Sequence, residues 1–187
     1  MAEKASKKDL FAPTIVLVSI CLVASMLLAA TYRITEPIIE EIAIKNANEA
    51  RAEVLPEGDS FTKIENVELV EFVDEVYKAD NGAGYAITAT TKGFGGPVTV
   101  MVGLSSEGKI IGVKVTDASK ETPGLGSKAT APSYTDGFLG MSAITNDKND
   151  ASAAYVAPVT GATYSSKAVF NALKAALDQY ARIGGGI

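Results

Sequence analysis

Tyr85-Ala86-Ile87-Thr88-Ala89-Thr90-Thr91-Lys92-Gly93-Phe94-Gly95-Gly96-Pro97-Val98-Thr99-Val100-Met101-Val102-Gly103-Leu104 is the stretch on which the fold turns. Two runs rich in β-branched residues flank Gly93-Phe94-Gly95-Gly96-Pro97, a cluster that breaks any regular element. Two strands joined by a glycine-rich turn follow from that pattern. Downstream, Ser105-Ser106-Glu107-Gly108 leads into a further strand over 109–116, so the next connection is also a hairpin. Upstream, Phe72 to Lys78 reads as one more strand, separated by Gly82-Ala83-Gly84. Neighbouring strands linked by short turns predict an antiparallel sheet.

Beyond the sheet, Tyr134 to Met141 reads as a short helical turn. From Ser165 to about Ile183, apolar side chains recur at Val169, Phe170, Leu173, Ala176, Leu177 and Tyr180. That spacing is one buried face of a helix, which has the sheet to pack against. The expected fold class is therefore α+β, an antiparallel sheet with packed helices.

The N-terminal part is different in kind. No charge occurs between Leu10 and Tyr32, and the core of this run, Ile15 to Ala30, is almost wholly apolar. Its length reaches the roughly 20 residues a helix needs to cross a bilayer. A transmembrane helix is expected over 13–32, with Pro13 in its first turn. Lys4, Lys7 and Lys8 precede it and acidic residues follow Arg33, which puts 1–12 in the cytoplasm and the remainder outside. A cleaved secretory signal shares the basic start, but Leu27 to Arg33 lacks a small-x-small cleavage pattern. After the anchor, 33–56 is expected as a helical stalk that continues from the membrane helix, with Pro37 suited to a first turn and Pro56 marking the end, ahead of an extracytoplasmic domain over 57–187.

Composition removes whole classes of chemistry. Among 187 residues there is no histidine, no tryptophan and one cysteine, Cys21, inside the apolar run. A histidine general base, a His-ligated zinc, a bis-histidine haem, a cysteine-ligated iron–sulfur cluster and an internal disulfide are all excluded. Redox work would need an organic cofactor. The net charge is −5, and residues 1–32 hold three lysines against Glu3 and Asp9. The acidic excess thus lies in the part beyond the anchor, which argues against nucleic acid as a partner.

Two loops carry candidate chemistry. Thr160-Gly161-Ala162-Thr163-Tyr164-Ser165-Ser166 stands directly before the C-terminal helix. Thr163 there is either an ordinary helix cap or a residue beside a phosphate seat, since free N–H groups and the positive dipole end favour an anion. Glu121-Thr122-Pro123-Gly124-Leu125-Gly126 is either a plain surface loop or one wall of a pocket, with Leu125 apolar and Glu121 and Thr122 polar.

The tetrad Thr160–Thr163 resembles the flavin-attachment motif of FMN-binding domains in the G subunit of the Rnf electron-transport complex and in the C subunit of the sodium-pumping NADH:quinone reductase. The hexapeptide at 121–126 is similar to a loop of the same family that lies against the isoalloxazine ring, and Gly93–Pro97 and Val54-Leu55-Pro56 also resemble family features. Short length and the lack of large insertions favour the Rnf branch over the quinone-reductase branch. The resemblance implies FMN held covalently through a phosphoester to Thr163, with Thr160, Gly161, Ala162, Tyr164, Ser165, Glu121, Thr122 and Leu125 around it. The glycine-rich turn is assigned no ligand contact, and Lys167 is a candidate for screening the phosphate. The resemblance further implies an electron relay in a complex that couples ferredoxin and NAD to ion transport. The partners are then other membrane subunits, one bearing a second flavin, and a flavin transferase that installs FMN. A free-standing anchored flavoprotein and a flavin-free interaction domain are the alternatives. One departure stands out: many members carry an acid six positions before the modified threonine, where this chain has Ala157.

Overall fold

The computed structural model describes residues 7–184, and the chain divides into two units after Asn46. Lys4 and Glu3, part of the expected cytoplasmic N-terminus, lie outside the described residues. The first unit is a helix. Ile15, Leu17, Leu22, Leu27 and Leu28 are exposed along it, as are Ile38, Ile42 and Ile44. A helix apolar on all sides with no protein cover is long and apolar enough to cross a membrane.

That helix, α1, runs unbroken as Lys7–Val54 and contains both Pro13 and Pro37. Neither Pro13 nor Pro37 is therefore in a first turn; both lie inside one continuous helix. Each proline removes only one N–H, leaving a single carbonyl one turn back without its helical donor, and the neighbouring bonds carry the helix through. Residues 47–54 belong to the second unit. There Ala50, Arg51 and Val54 are buried, with Leu55 following.

The second unit is built on a five-stranded sheet. β1 (Phe61–Lys63), β2 (Val73–Ala79), β3 (Gly84–Lys92), β4 (Pro97–Ser105) and β5 (Ile110–Asp117) pair in sequence order, all antiparallel. The four long strands match the expected runs, and the hairpin geometry of 97–117 is as the glycines predict. Then come a 3₁₀ turn at Gly126–Lys128, the one-turn helix α2 (Pro132–Thr135), and a two-stranded parallel ribbon of β6 (Ile144–Thr145) and β7 (Ala154–Tyr155). The helix α3 (Thr163–Arg182) closes the domain.

Alternation along the strands gives the sheet two different faces. On one, Ile87, Ala89, Val98, Val100, Val102 and Leu104 form a core with Val169, Leu173, Ala176 and Tyr180 of α3. On the other, Ala86 and Met101 pack with Ala50 and Val54 of α1. Gly103 makes the second contact possible, because a Cβ there would stand 1.9 Å from the Val54 carbonyl oxygen. Gln179 of α3, fully buried, ties in the segment before β2: its Oε1 accepts the Val70 N–H at 2.6 Å and its Nε2 donates to the Glu68 carbonyl. The α+β expectation is met, and the sheet end where β3 turns into β4 faces the first turn of α3.

Candidate functional site

The site forms where three loops meet. The glycine-rich turn between β3 and β4, the loop after β5 and the first turn of α3 enclose a cavity of about 240 Å³. Its lining is Phe94, Glu121, Thr122, Leu125, Gly126, Gly161, Ala162, Thr163, Tyr164 and Ser165. Two motifs some forty residues apart in sequence thus share one cavity. Of the residues that the resemblance places around FMN, Thr160 alone stays outside the lining, exposed in the turn before α3, and the screening candidate Lys167 lies outside it as well.

Glu121 holds the walls together. It is 5% exposed, and its Oε2 accepts the Ser165 hydroxyl at 2.5 Å while its Oε1 accepts the Gly95 N–H at 3.2 Å. A buried carboxylate needs such donors, and each comes from a different wall. The glycines leave the room. A Cβ on Gly95 would lie 1.8 Å from the Lys120 carbonyl oxygen, and one on Gly126 would lie 2.3 Å from Glu121 Oε2. The loop itself is closed by Leu125 N–H on the Thr122 carbonyl at 3.2 Å and by Gly124 N–H on Ser127 Oγ at 2.9 Å.

The start of α3 has no side-chain cap. Ala162 occupies the N-cap, and Thr163 is the first residue inside the helix. The reading of Thr163 as an ordinary cap is thereby overturned. Gly161 (φ +82°) turns the chain into the helix in a conformation that side chains resist. The first helical donor is Ser166 N–H, bonded to the Ala162 carbonyl at 2.8 Å. The N–H groups of Thr163, Tyr164 and Ser165 precede that bond, and the dipole adds positive potential to them. Thr163 is exposed, and among the described residues its hydroxyl has no hydrogen-bond partner.

Thr163 also lines a second cavity of about 210 Å³ with Tyr134, Asn146, Tyr155, Val156, Pro158, Ser166, Lys167 and Phe170. It is the one residue common to both these linings that carries a free hydroxyl. Ala157 is exposed between Val156 and Pro158, which both line this second cavity. Burial pushes the Tyr134 phenol up from its ordinary value, and a hydrogen bond with Ser166 opposes that shift. Lys167 is exposed beside Thr163 with no acid within ion-pair distance among the described residues. No group of His, Cys, Asp or Glu there has metal-ligand spacing, again among the described residues.

Phe94 is the lining residue that sequence reasoning missed. It stands 71% exposed, with its ring centroid 6.3 Å from that of Tyr164, itself 72% exposed. The available signal was a large aromatic inside a turn made of glycines, where it has no core position to fill.

The family described as FMN-binding domain matches residues 93–178, a span that holds the glycine-rich turn, the loop after β5 and the start of α3, and so gives the class of this protein. Over 193 residues the chain is 33% identical to the G subunit of the Na(+)-translocating ferredoxin:NAD(+) oxidoreductase complex of Acetobacterium woodii, covering 92% of each chain. It is 30% identical to the G subunit of the ion-translocating oxidoreductase complex of Methanosarcina acetivorans, covering 91% of this chain and 94% of that one. A solved structure, the C subunit of the Na(+)-translocating NADH-quinone reductase from Parabacteroides distasonis, is 27% identical with a TM-score of 0.47, covering 59% of this chain and 60% of that one. The chain belongs to the G-subunit family of ion-translocating ferredoxin:NAD(+) oxidoreductase complexes.

Proposed function

We propose that this chain is the electron-relay subunit of a membrane Rnf complex and carries FMN through a phosphoester to the Thr163 hydroxyl. The observation that carries this reading is the position of Thr163. Its free hydroxyl stands at an uncapped helix N-terminus, on the rim of a cavity walled by Phe94, Leu125 and Tyr164. The cavity suits FMN on chemical grounds: the N–H groups of the first turn of α3 receive a phosphate, and the apolar walls flank a planar ring. Bound FMN supplies the one- and two-electron chemistry that no side chain of this protein provides.

The protein's part is to hold and to expose. Glu121 keeps the loop after β5 and the first turn of α3 in register, and Leu125 forms an apolar wall. A covalent link retains the cofactor on a surface from which a lost one is not readily replaced. Installation needs outside help, because a threonine hydroxyl requires an activating base and this chain has no histidine. A flavin transferase acting on the folded domain fits that need.

The membrane location rests on α1 and on relatives that belong to ion-translocating complexes. The lysines before the apolar run, Lys4, Lys7 and Lys8, favour a cytoplasmic N-terminus and an extracytoplasmic flavin domain. Its partners are then other membrane subunits of the complex, one with a second flavin. Flavin fluorescence of the chain from native membranes, after denaturing electrophoresis, tests the proposal. A fluorescent band that persists in Thr160→Ala and vanishes in Thr163→Ala is expected. Fluorescence retained in Thr163→Ala, or absent from the wild type in cells that flavinylate other proteins, contradicts it.

A further inference from the structure

The mouth of the first cavity differs from the rest of the domain in charge. The domain is acidic, yet the three segments that form the mouth carry Lys92, Lys120, Lys128 and Lys167, all exposed. Lys92 directly precedes the glycine-rich turn, and the Lys120 side chain lies against Gly96, where a Cβ would stand 2.7 Å from its Cδ. Lys128 ends the 3₁₀ turn that Gly126 begins, and Lys167, one turn into α3, lines the adjoining second cavity that shares Thr163 with the first. Two acids share these segments. Glu121 is buried and consumed by Ser165 and Gly95. Asp117 accepts the Ser119 N–H at 2.9 Å, and the nearby Lys120 charge further favours its ionised form, although the two are not within ion-pair distance.

Lys63, Lys109, Lys114 and Lys174 are paired with Glu75, Glu107, Glu53 and Asp178, whereas Lys78 and Lys148, apart from each other in the sequence, are the other lysines of the domain with no acid in ion-pair distance among the described residues. The four at the mouth have no acid within ion-pair distance among the described residues. The cavity lining between these segments exposes Phe94, Tyr164 and Leu125, the last 45% exposed. An apolar, aromatic centre with a charged rim is the anatomy of a protein interface, and same-sign charge around it favours encounter with the opposite sign.

We infer that this mouth is a docking surface for an acidic protein surface, that of the redox partner which exchanges electrons with this chain. The inference rests on the flavin reading for the word redox. Electron transfer requires the partner's cofactor to approach the exposed edge of this one, so the occupant of the rim has to be able to take up or deliver electrons. An anionic lipid surface matches the lysines but has no acceptor, and lying there it would cover the cavity. The apolar centre supplies contact area at short range, while the lysines act at a distance and are screened by salt.

Carbodiimide coupling in native membranes, which joins a lysine amine to a carboxylate only at ion-pair distance, tests the inference. The chain stays in its complex, and cross-linked peptides are sequenced by mass spectrometry. Expected are links from at least two of the four lysines to aspartates or glutamates of another protein of the complex, falling about tenfold when salt rises from about 20 to about 500 mM. Those links are lost in the variant with all four lysines replaced by glutamine. Links confined to this chain overturn the inference, as do links equally frequent from Lys78 and Lys148, which lie outside the three segments. A parallel acetylation footprint separates the lipid source: equal protection of the four lysines in the purified full chain in phosphatidylglycerol vesicles assigns the surface to lipid and overturns the inference. The same digest reports Thr163. An unmodified Thr163 beside intact cross-links contradicts the flavin reading alone.

Discussion

Helix α3 and the last turns of α1 cover opposite faces of one sheet by different means. α3 lays a broad apolar stripe on the strands, with Val169, Leu173 and Ala176 fully buried. The end of α1 brings only Ala50 and Val54, and gains its contact from close backbone approach over Gly103. A cation completes it. Arg51, 6% exposed, lies 3.6 Å above the Tyr77 ring, donates to Asn48 at 2.6 Å and stands 3.9 Å from Glu75. Its Nε is buried with no partner. One face is held by buried apolar area, the other by shape and one expensively placed charge. The face held by area also carries the site, and its helix presents the uncapped N-terminus.

The largest effect is expected on the α3 side. Leu173→Ala leaves a void in the main core and should cost about 2–5 kcal/mol by denaturant unfolding. On the other face, Gly103→Ala drives a Cβ into the Val54 carbonyl, and about 1–3 kcal/mol is expected from the forced shift. Amide exchange at residues 50–54 should accelerate while α3 stays protected. If Gly103→Ala unfolds like the wild type and exchange is unchanged, the close approach is not what seats α1.

Glu121→Ala separates site from core within the α3 side, because it removes an anchor at the cavity without touching the apolar stripe. The Ser165 hydroxyl and Gly95 N–H lose their acceptor, and a loss of about 1–2 kcal/mol is expected. Proteolysis or amide exchange should locate the loosening at 93–97 and 121–126, leaving 169–180 as before. Uniform loosening would make Glu121 a general stability residue with no special tie to the site.

The smallest effect concerns the sheet edge far from both helices' main contacts. Asp80 accepts hydroxyl hydrogen bonds from Thr62 and Ser60, both at 2.7 Å, which hold its carboxyl below the ordinary carboxylate value of 3.8. The native state therefore favours the ionised form. The contribution is present above that ordinary value and is lost as pH falls through the lower native one. The melting temperature between pH 5 and 3 should fall slightly less for Asp80→Asn than for the wild type, and an identical slope would show that the edge contributes nothing.

What the sequence made legible follows the same division. The strands and α3 were readable because burial of area writes itself as periodicity, and the two motifs were readable from residue types around tight turns. The docking of α1 was not, since a glycine in a strand and an arginine in a helix look like a weak strand position and a wetted face. The two prolines misled for a local reason: each removes one hydrogen bond and crowds the carbonyl one turn back, a cost confined to that turn, and the 48-residue helix continues through both. β6 and β7, two residues each, are too short for any period. Phe94 went unassigned because its turn was read through the glycines alone.

On the proposed function, Thr163 and no neighbouring hydroxyl bears the flavin. Fragment-ion sequencing of the tryptic peptide spanning 149–167, prepared from native membranes, tests this without intermediaries, since that peptide also contains Ser152, Tyr155, Thr160, Tyr164, Ser165 and Ser166. The expected result is the mass of FMN less one water on Thr163. That mass on another of these residues, or its absence from a complex in which another member is flavinylated, would contradict the assignment.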